Sequence, residues 1–260
     1  MLQITHNGGF FSCCTVRLFR ILDYFNEHKS LPTVVDSSVQ FFWYKVNKCE
    51  DITYTYFKPY DTSNIEYTGD VHITNEKREE QFSNYNNVEY ASLAPFVEKY
   101  FSPSDTILCH INEIEETYNI SDYHNICVLF YRGNDKIIET PLCSYDDIIT
   151  KAYLVLEENP NVRFLVQSDE TEFIERILDE FPNKSFYLKD HIRHITKCMS
   201  SVDKGWHDSN YMFSQYYLAI TIIMSKCNYL VFGSGNCSLW IVLYRGHAKN
   251  MYQFLNNEWV

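Results

Sequence analysis

The sequence predicts an α/β fold made of two Rossmann-like halves that face a cleft. Three observations carry this. Residues 126–255 alternate short apolar runs with amphipathic stretches, the pattern of strands and crossover helices. The chain also opens on a short apolar run, a glycine pair and a helical apolar spacing. Finally, 260 residues suffice for two units of Rossmann size. The boundary is placed near residue 120, giving an acceptor-side half 1–119 and a nucleotide-side half 120–260.

Leu2 to Thr5 is predicted as the first strand. His6-Asn7-Gly8-Gly9 turns the chain, and Val16, Phe19, Leu22 and Phe25 recur with helical spacing. Glycines let a backbone approach a ligand, and helix N-terminal amides favour an anion. Gly8, Gly9 and Phe10 are therefore candidate donor-side residues. A plain strand-to-helix turn needs the same glycines, so the ligand reading rests on His6, Asn7 and Ser12 crowding that turn. Val34 to Ser38 reads as a second strand with Asp36 on its turn. Phe41 to Lys45 and Tyr54 to Phe57 are aromatic and β-prone. Residues 61–87 are polar and acidic, predicted as loop with one short helix around 76–82. Ser102-Pro103-Ser104-Asp105 starts a helix that ends near Asn119. Its apolar stripe is Ile107, Ile111, Ile114 and Tyr118.

The second half is more regular. Ile126 to Phe130 is a buried strand that runs into Tyr131-Arg132-Gly133-Asn134-Asp135-Lys136. Ser144 with Asp147 is a capping box for a helix to Glu158 that buries Ile148, Ala152 and Val155. Arg163 to Val166 is a strand ending in Gln167-Ser168-Asp169. A helix over 171–181 buries Phe173, Ile174, Ile177, Leu178 and Phe181. Ser185 to Leu188 is a third strand, followed by a polar loop over 189–210 that holds His191, Arg193, His194 and Trp206. A helix over 211–225 leads to the strand Tyr229 to Phe232. Gly233-Ser234-Gly235-Asn236 then opens a last helix over 238–246, and Tyr252 to Leu255 is the last strand. This alternation implies parallel strands.

Composition excludes several classes. The net charge of −12 argues against a nucleic-acid partner and an anionic membrane surface. Nine cysteines, an odd number without Cys-x-x-Cys, read as reduced thiols in a cytoplasmic compartment. There is no apolar run of the ~20 residues a membrane span needs, and the N-terminus lacks the pattern of a signal peptide. His191, His194 and Cys198 have helical spacing, but no second pair completes a metal site. Aromatics reach 17%. Most of these rings are assigned to the core, and a surface ring face would suit a sugar or a base.

Parallel topology brings three strand ends to one edge, where open α/β sheets bind ligands. They carry Arg132, Asp135 and Lys136; Ser168 and Asp169; and Ser234, Gly235 and Asn236. The arginine fork suits a phosphate. Asp169 suits a ribose hydroxyl, and the Gly233–Asn236 loop offers backbone N–H groups. Taken alone, the Arg132 stretch reads equally well as an exposed turn with an Arg–Asp pair. The run Gly233-x-Gly235-x-x-Ser238 comes near a dinucleotide fingerprint. Its third glycine is missing, and the 22 residues after Ser238 leave no room for another βαβ unit.

Residues 126–246 resemble the nucleotide-sugar domain of α1,6- and O-fucosyltransferase-like enzymes, of the two-Rossmann GT-B type. Three motifs carry the resemblance: Phe130 to Lys136, Phe164 to Asp169 with Phe181-Pro182-Asn183, and Asn228 to Ser238. Gly8 to Cys13 is similar to the family's phosphate-side loop. The resemblance implies that Arg132 holds the donor diphosphate, that Asp169 meets the ribose or base, and that Ser234 and Asn236 belong to the phosphate side. It places Lys136 and Glu139 near the reacting centre. The sequence departs from the family at Phe130, where it often has His, and at Gly133, where it often has a second Arg. It also shows no acid near Ile220, where the family reads guanine. UDP-xylose therefore stands beside GDP-fucose as donor. The chain also resembles, in general character, small glycosyltransferases of large algal DNA viruses.

No Asp-x-Asp occurs, so no metal is required, and the nucleotide sugar is a substrate rather than a cofactor. The expectation is an inverting, metal-independent glycosyltransferase acting on a glycan or glycoprotein hydroxyl. Glu139, Asp135, Asp36 and His6 are candidate general bases. The alternative is a non-catalytic nucleotide- or glycan-binding module on the same fold.

Overall fold

A computed structural model describes residues 1–260 apart from 62, 68, 75, 77, 78 and 206, and His207 by its backbone alone. In the first half, β1 (Leu2–Gln3) and β2 (Val35–Asp36) pair in parallel, with Leu2 opposite Val35. Around them lie α1 (Phe10–His28), α2 (Thr53–Tyr56), α3 (Tyr90–Phe101) and α4 (Asp105–Thr117). The second half runs β3 (Ile126–Tyr131), α5 (Tyr145–Glu158), β4 (Arg163–Ser168), α6 (Thr171–Glu180) and β5 (Ser185–Tyr187). It continues with α7 (Val202–Gly205), α8 (Asn210–Lys226), β6 (Tyr229–Gly233), α9 (Asn236–Arg245), β7 (Met251–Leu255) and β8 (Glu258–Trp259).

The six strands β3–β8 form one sheet in the order β5-β4-β3-β6-β7-β8. All neighbours are parallel except β7 and β8. From β3 the chain steps outward to β4 and β5; it then returns to the other side of β3 for β6, β7 and β8. The reversal lies between β3 and β6, and a crevice opens beyond the carboxyl ends of such strands. β3 is buried along its whole length, as a central parallel strand requires. The Ser144–Asp147 capping box forms at α5, and Ser104 caps α4 through the Ile107 amide.

The first half departs from expectation where aromatics are dense. Phe42–Tyr44 is a 3-10 turn and Thr53–Tyr56 a helix, not strands. The reason is packing: the Phe10 ring takes Tyr44 at 5.6 Å and Tyr56 at 4.8 Å, and this cluster overrides β-propensity. Helix α3 was not expected, although Leu93, Phe96, Val97, Tyr100 and Phe101 form a buried helical stripe. Pro95 inside it breaks the usual signal. Of the helix expected around 76–82, Glu80–Phe82 is a 3-10 turn, while 77 and 78 lie outside the described residues. The 189–210 loop contains α7 and a 3-10 turn over His207–Ser209; Trp206 lies outside the described residues.

One hydrophobic cluster runs through residues on both sides of position 120. Its hinge point is Trp240 of α9, fully buried, whose Nε1–H donates to Thr15 Oγ1 (3.0 Å) and whose ring meets Phe101 at 4.5 Å. Helices α1, α3 and α9 thereby fix the two halves against each other. Among the described residues no helix is long and apolar enough to cross a membrane.

Candidate functional site

A cleft of about 750 Å³ opens at the β3–β6 reversal, within the range of nucleotide-sized sites. The first half lines it with His6, Gly8 to Ser12, Trp43 and Tyr44; the second with Arg132, Asp135, Lys136, Glu139 and Ser234 to Ser238. Two helices begin on it. Neither α1 nor α9 has a side-chain cap, because Gly9 and Gly235 hold the cap positions. Orphan first-turn amides are the physical basis of anion binding. In α1 the Phe10 N–H is already taken, donating to the Tyr44 hydroxyl (2.7 Å). A Cβ on Gly8 would lie 2.9 Å from His6 Nε2 and 3.1 Å from Ser12 Oγ, so a side chain here would push the His6–Ser12 pair aside.

The Arg132 turn is locked by two buried acids. The Gly133 N–H donates to Asp169 Oδ1 (3.0 Å), and the Asn134 N–H to Glu170 Oε1 (2.7 Å). Asn134, at φ +40°, spends its side chain on the Asp169 carbonyl and the Cys198 amide. Tyr145 donates to the second oxygen of Glu170. At Gly133 a Cβ would stand 2.0 Å from Glu170 Oε1, so no side chain fits. A second arginine, which the resemblance gave as an expectation at this position, has no room beside the Glu170 carboxylate. Arg132 itself meets Asp135 at 3.0 Å through Nη2. Its Nε stands 3.1 Å from Asp169 Oδ2, but without hydrogen-bond geometry, so both atoms keep bonding capacity. Burial opposes the guanidinium charge; the Asp169 and Asp135 carboxylates outweigh it and hold the pKa well above the ordinary value. The result is a fixed cation facing the cleft.

Lys136 supplies a second charge. It is buried, donates to Glu139 Oε2 (2.6 Å) and Gln81 Oε1 (3.0 Å), and its stem lies where a Cβ on Gly235 would touch it at 3.2 Å. The β6–α9 loop is held from below by residues 81–85. The Gly235 N–H donates to the Tyr85 hydroxyl (3.1 Å), and Asn236 Nδ2 donates to Gln81 Oε1 (3.0 Å). Ser234 turns its hydroxyl onto the Phe254 carbonyl (2.8 Å) and accepts from Gln253 Nε2 (2.9 Å). Its side chain is therefore occupied, contrary to the expected phosphate contact, and the α9 amides beyond it remain. Cys237 also lines the cleft; burial pushes its thiol up to about 11, so it stays protonated.

The expected bases separate. Asp36 does not line the cleft: its carboxylate accepts from the Ser38 N–H (2.9 Å) and Gln3 Nε2 (3.2 Å), and hydrogen bonds from the Ser38 hydroxyl, then the Ser38 amide and Gln3, lower its pKa. Asp36 is the last residue of the two-residue β2, paired opposite Gln3, rather than on a turn beyond the strand. Asp135 and Glu139 do line the cleft, each in an ion pair with Arg132 or Lys136. His6 lines it as well, with Nε2 2.9 Å from Ser12 Oγ, and burial lowers its pKa. It is a neutral imidazole at pH 7.

A smaller pocket of about 50 Å³ adjoins the cleft, sharing Phe130, Arg132, Asp203 and Tyr217 with it. Its lining holds four buried polar atoms without a hydrogen-bond partner: Arg132 Nε, Gln167 Oε1, Asp169 Oδ2 and His191 Nδ1. Such atoms are costly unless a ligand or water meets them. Ser168 also lines it, and accepts from the Glu170 amide (3.0 Å). His191 and His194 do not gather with Cys198. His191 packs on Tyr118 and Tyr216, and His194 bonds Thr171 (2.8 Å). Among the described residues no three metal-ligating side chains come together.

Sheet order, reversal point and cleft define an α/β fold of GT-B type. Among solved structures, the fucosyltransferase NodZ from Bradyrhizobium superposes with a TM-score of 0.58 over 99% of both chains, at 10% identity. Two further NodZ α-1,6-fucosyltransferase structures are also similar. One was co-crystallised with GDP (TM-score 0.43, 12% identity, 66% of this chain and 51% of that one). The other was soaked with GDP-fucose (0.41, 9%, 67% and 53%). Against these two the chain spans about half the length. No protein-family model and no curated protein sequence matches the chain.

Proposed function

We propose that the chain is an inverting, metal-independent glycosyltransferase that moves a sugar from UDP-xylose or GDP-fucose to a glycan hydroxyl. One observation carries this reading. Two cations, the half-buried Arg132 and the buried Lys136, and the uncapped N-terminus of α9 converge on one nucleotide-sized cleft at the sheet's reversal point. The GT-B fold shared with a fucosyltransferase supports it at the level of the fold.

In this reading residues 120–260 hold the donor and residues 1–119 the acceptor. Arg132 grips the diphosphate bidentately and, with Lys136 and the α9 amides, takes up the charge of the leaving nucleoside diphosphate. The nucleoside points to the adjoining pocket, where Asp169 Oδ2 accepts a ribose hydroxyl and Gln167 Oε1 a donor on the base. His6 removes the acceptor proton as the acceptor oxygen bonds to the anomeric carbon and the carbon–oxygen bond to phosphate breaks, inverting that carbon. His6 is preferred over Asp135 and Glu139 because both carboxylates are held in ion pairs. All nine cysteines are free thiols, which suits a cytoplasmic setting.

A thermal-shift panel of UDP, GDP and their sugars tests the donor. A shift by uridine nucleotides alone removes the fucosyl option, and a shift by guanosine nucleotides alone removes the xylosyl one. No shift with any of them overturns the reading. Turnover of the bound donor with a glycan acceptor, compared between wild type and Arg132→Ala, separates an enzyme from a binding module.

A further inference from the structure

One side chain of the first half touches two of the elements assigned to the donor phosphates. Gln81 Oε1 accepts from Lys136 Nζ (3.0 Å), after β3, and from Asn236 Nδ2 (3.0 Å), the first residue of α9. An ammonium can only donate, so the amide oxygen must face Lys136. The amide nitrogen donates away from it, to Glu79 Oε2 (2.8 Å). The second half also fixes the backbone here. The Tyr85 hydroxyl donates to the Gln81 carbonyl (2.8 Å) and accepts from the Gly235 N–H. The Tyr85 N–H donates to Gln253 Oε1 of β7 (2.9 Å), and Gln253 Nε2 donates to the Ser83 carbonyl (2.8 Å). Tyr85 and Gln253 are fully buried. Residues 81–85 are thereby part of the donor-side wall, although they precede position 120.

The two groups that Gln81 joins are poorly matched without an anion. A Cβ on Gly235, the cap residue of α9, would lie 3.5 Å from Lys136 Nζ, so the ammonium stands at the N-terminal end of a helix that has no side-chain cap. A helix N-terminus disfavours a cation and favours an anion. Glu139, whose carboxylate is 47% exposed, draws the ammonium the other way (2.6 Å). The Gln81 oxygen opposes that pull and, being neutral, leaves the charge uncancelled. An ammonium has three N–H donors; Glu139 and Gln81 take two, and the third is left for a ligand. We propose that Gln81 is the positioning residue of the diphosphate site: its carboxamide oxygen seats the Lys136 ammonium beside the first turn of α9, so that one phosphate group meets both. This rests on the nucleotide-sugar reading, and it makes the donor site a joint product of the two halves. A carboxylate in place of Gln81 would hold Lys136 and cancel its charge. An apolar side chain would release it to Glu139.

The test is calorimetric binding of pyrophosphate, UDP and GDP to the full chain, for wild type, Gln81→Met and Gln81→Glu. Gln81→Met keeps the reach of the side chain and loses the oxygen. It should weaken pyrophosphate and the nucleotide that binds by the same factor, roughly three- to ten-fold, the scale of one hydrogen bond to a charged group. Gln81→Glu should weaken both by about ten-fold or more, since it sets a carboxylate beside the phosphate. It should also flatten the salt dependence of binding, because the site loses one net positive charge. A merely structural role would leave that salt dependence unchanged. If Gln81→Met does not fold, Gln81→Glu carries the test. The proposal is overturned if either folded variant binds diphosphates as wild type does, or if the salt dependence of Gln81→Glu equals that of wild type. Pyrophosphate binding that depends on Gln81, without nucleotide binding, keeps the positioning role and removes the nucleotide-sugar reading. Nucleotide binding indifferent to Gln81 removes only the positioning role, and a wild type that binds no diphosphate removes both.

Discussion

The two halves bury polar groups in different ways. Eight buried side-chain atoms lack a hydrogen-bond partner among the described residues, and they divide evenly. In the second half Arg132, Gln167, Asp169 and His191 all line one pocket at the ends of β3 and β4. In the first half Arg17, Gln40, Thr53 and Tyr100 line neither the cleft nor the pocket beside it. Each half sets an arginine into the fold, Arg132 half-buried and Arg17 fully buried, and their settings differ. Arg132 has two carboxylates and an aqueous cleft. Arg17 is 1% exposed, bonds Ser37 Oγ and lies 5.9 Å from the Phe101 ring, and burial lowers its pKa. A charge marks a site when a regular sheet delivers it to an edge that opens on a cleft. In an irregular aromatic core the same residue is structural.

The largest expected effect falls on the sheet-edge arginine. Arg132→Lys keeps the charge but loses the fork, and turnover should drop by about 10²–10³-fold, the scale of losing one preorganised transition-state donor. Arg17→Lys should leave turnover within about two-fold, since it touches no cleft residue. Equal losses in the two variants, measured as kcat, would erase the distinction between the halves.

His6 is the contribution of the first half to chemistry. His6→Ala should cost about 10²-fold in turnover, the lower end for a general base. Because burial lowers its pKa, the imidazole stays unprotonated until the pH falls below its ordinary value of 6.5. Activity should therefore hold through pH 6.5 and decline at more acid pH, and that acid limb should disappear in the variant. A pH–rate profile with the same acid limb in His6→Ala would return the role to Asp135 or Glu139.

Gly133 tests the carboxylate clamp. Gly133→Ala forces a methyl against Glu170, and overpacking of this kind costs about 1–3 kcal/mol. A urea midpoint should register it. Glu170→Gln, which keeps one acceptor for the Asn134 amide, should cost less. Were Gly133→Ala as stable as wild type, the turn would be looser than its hydrogen bonds indicate.

The second half was legible in the sequence because each of its elements has a local cause. A five-residue apolar run, a capping box and an apolar helix stripe located β3, α5 and α6 to within a residue or two. The strand ends then followed from topology, which is how Arg132, Lys136 and Asp169 reached one site. The clamp residues Asn134 and Glu170 were missed, although an acid pair after β4 facing a glycine after β3 was visible as a pattern. Gln81 and Tyr85 carry no local signal: their segment is aperiodic, and only tertiary packing brings it under the β6–α9 loop. Asp36 was misplaced for a related reason. Sequence pattern located β2 but set Asp36 on the turn after it, whereas Asp36 is the last residue of the strand itself.

The smallest expected effect is the sharpest test of the comparison. Arg17→Met replaces a buried guanidinium by an apolar side chain of similar reach. The guanidinium gives up its hydration, and the nearby acid does not depend on it. Asp51 accepts from the Ser37 N–H (3.2 Å) and the Thr53 N–H (2.9 Å) without Arg17. Buried ion pairs exchanged for well-packed apolar groups are often neutral or stabilising, whereas a stranded buried charge costs about 3–5 kcal/mol. Arg17→Met strands no charge and loses one hydrogen bond, so stability should change by less than about 1 kcal/mol. Arg132→Met strands Asp169, which is 4% exposed, and should fall in the costly class. Urea denaturation of the two variants side by side makes the measurement. If Arg17→Met also lost about 3–5 kcal/mol, Arg17 would be half of a working charge pair with Asp51. The aromatic half would then hold a second electrostatic centre rather than a structural cation.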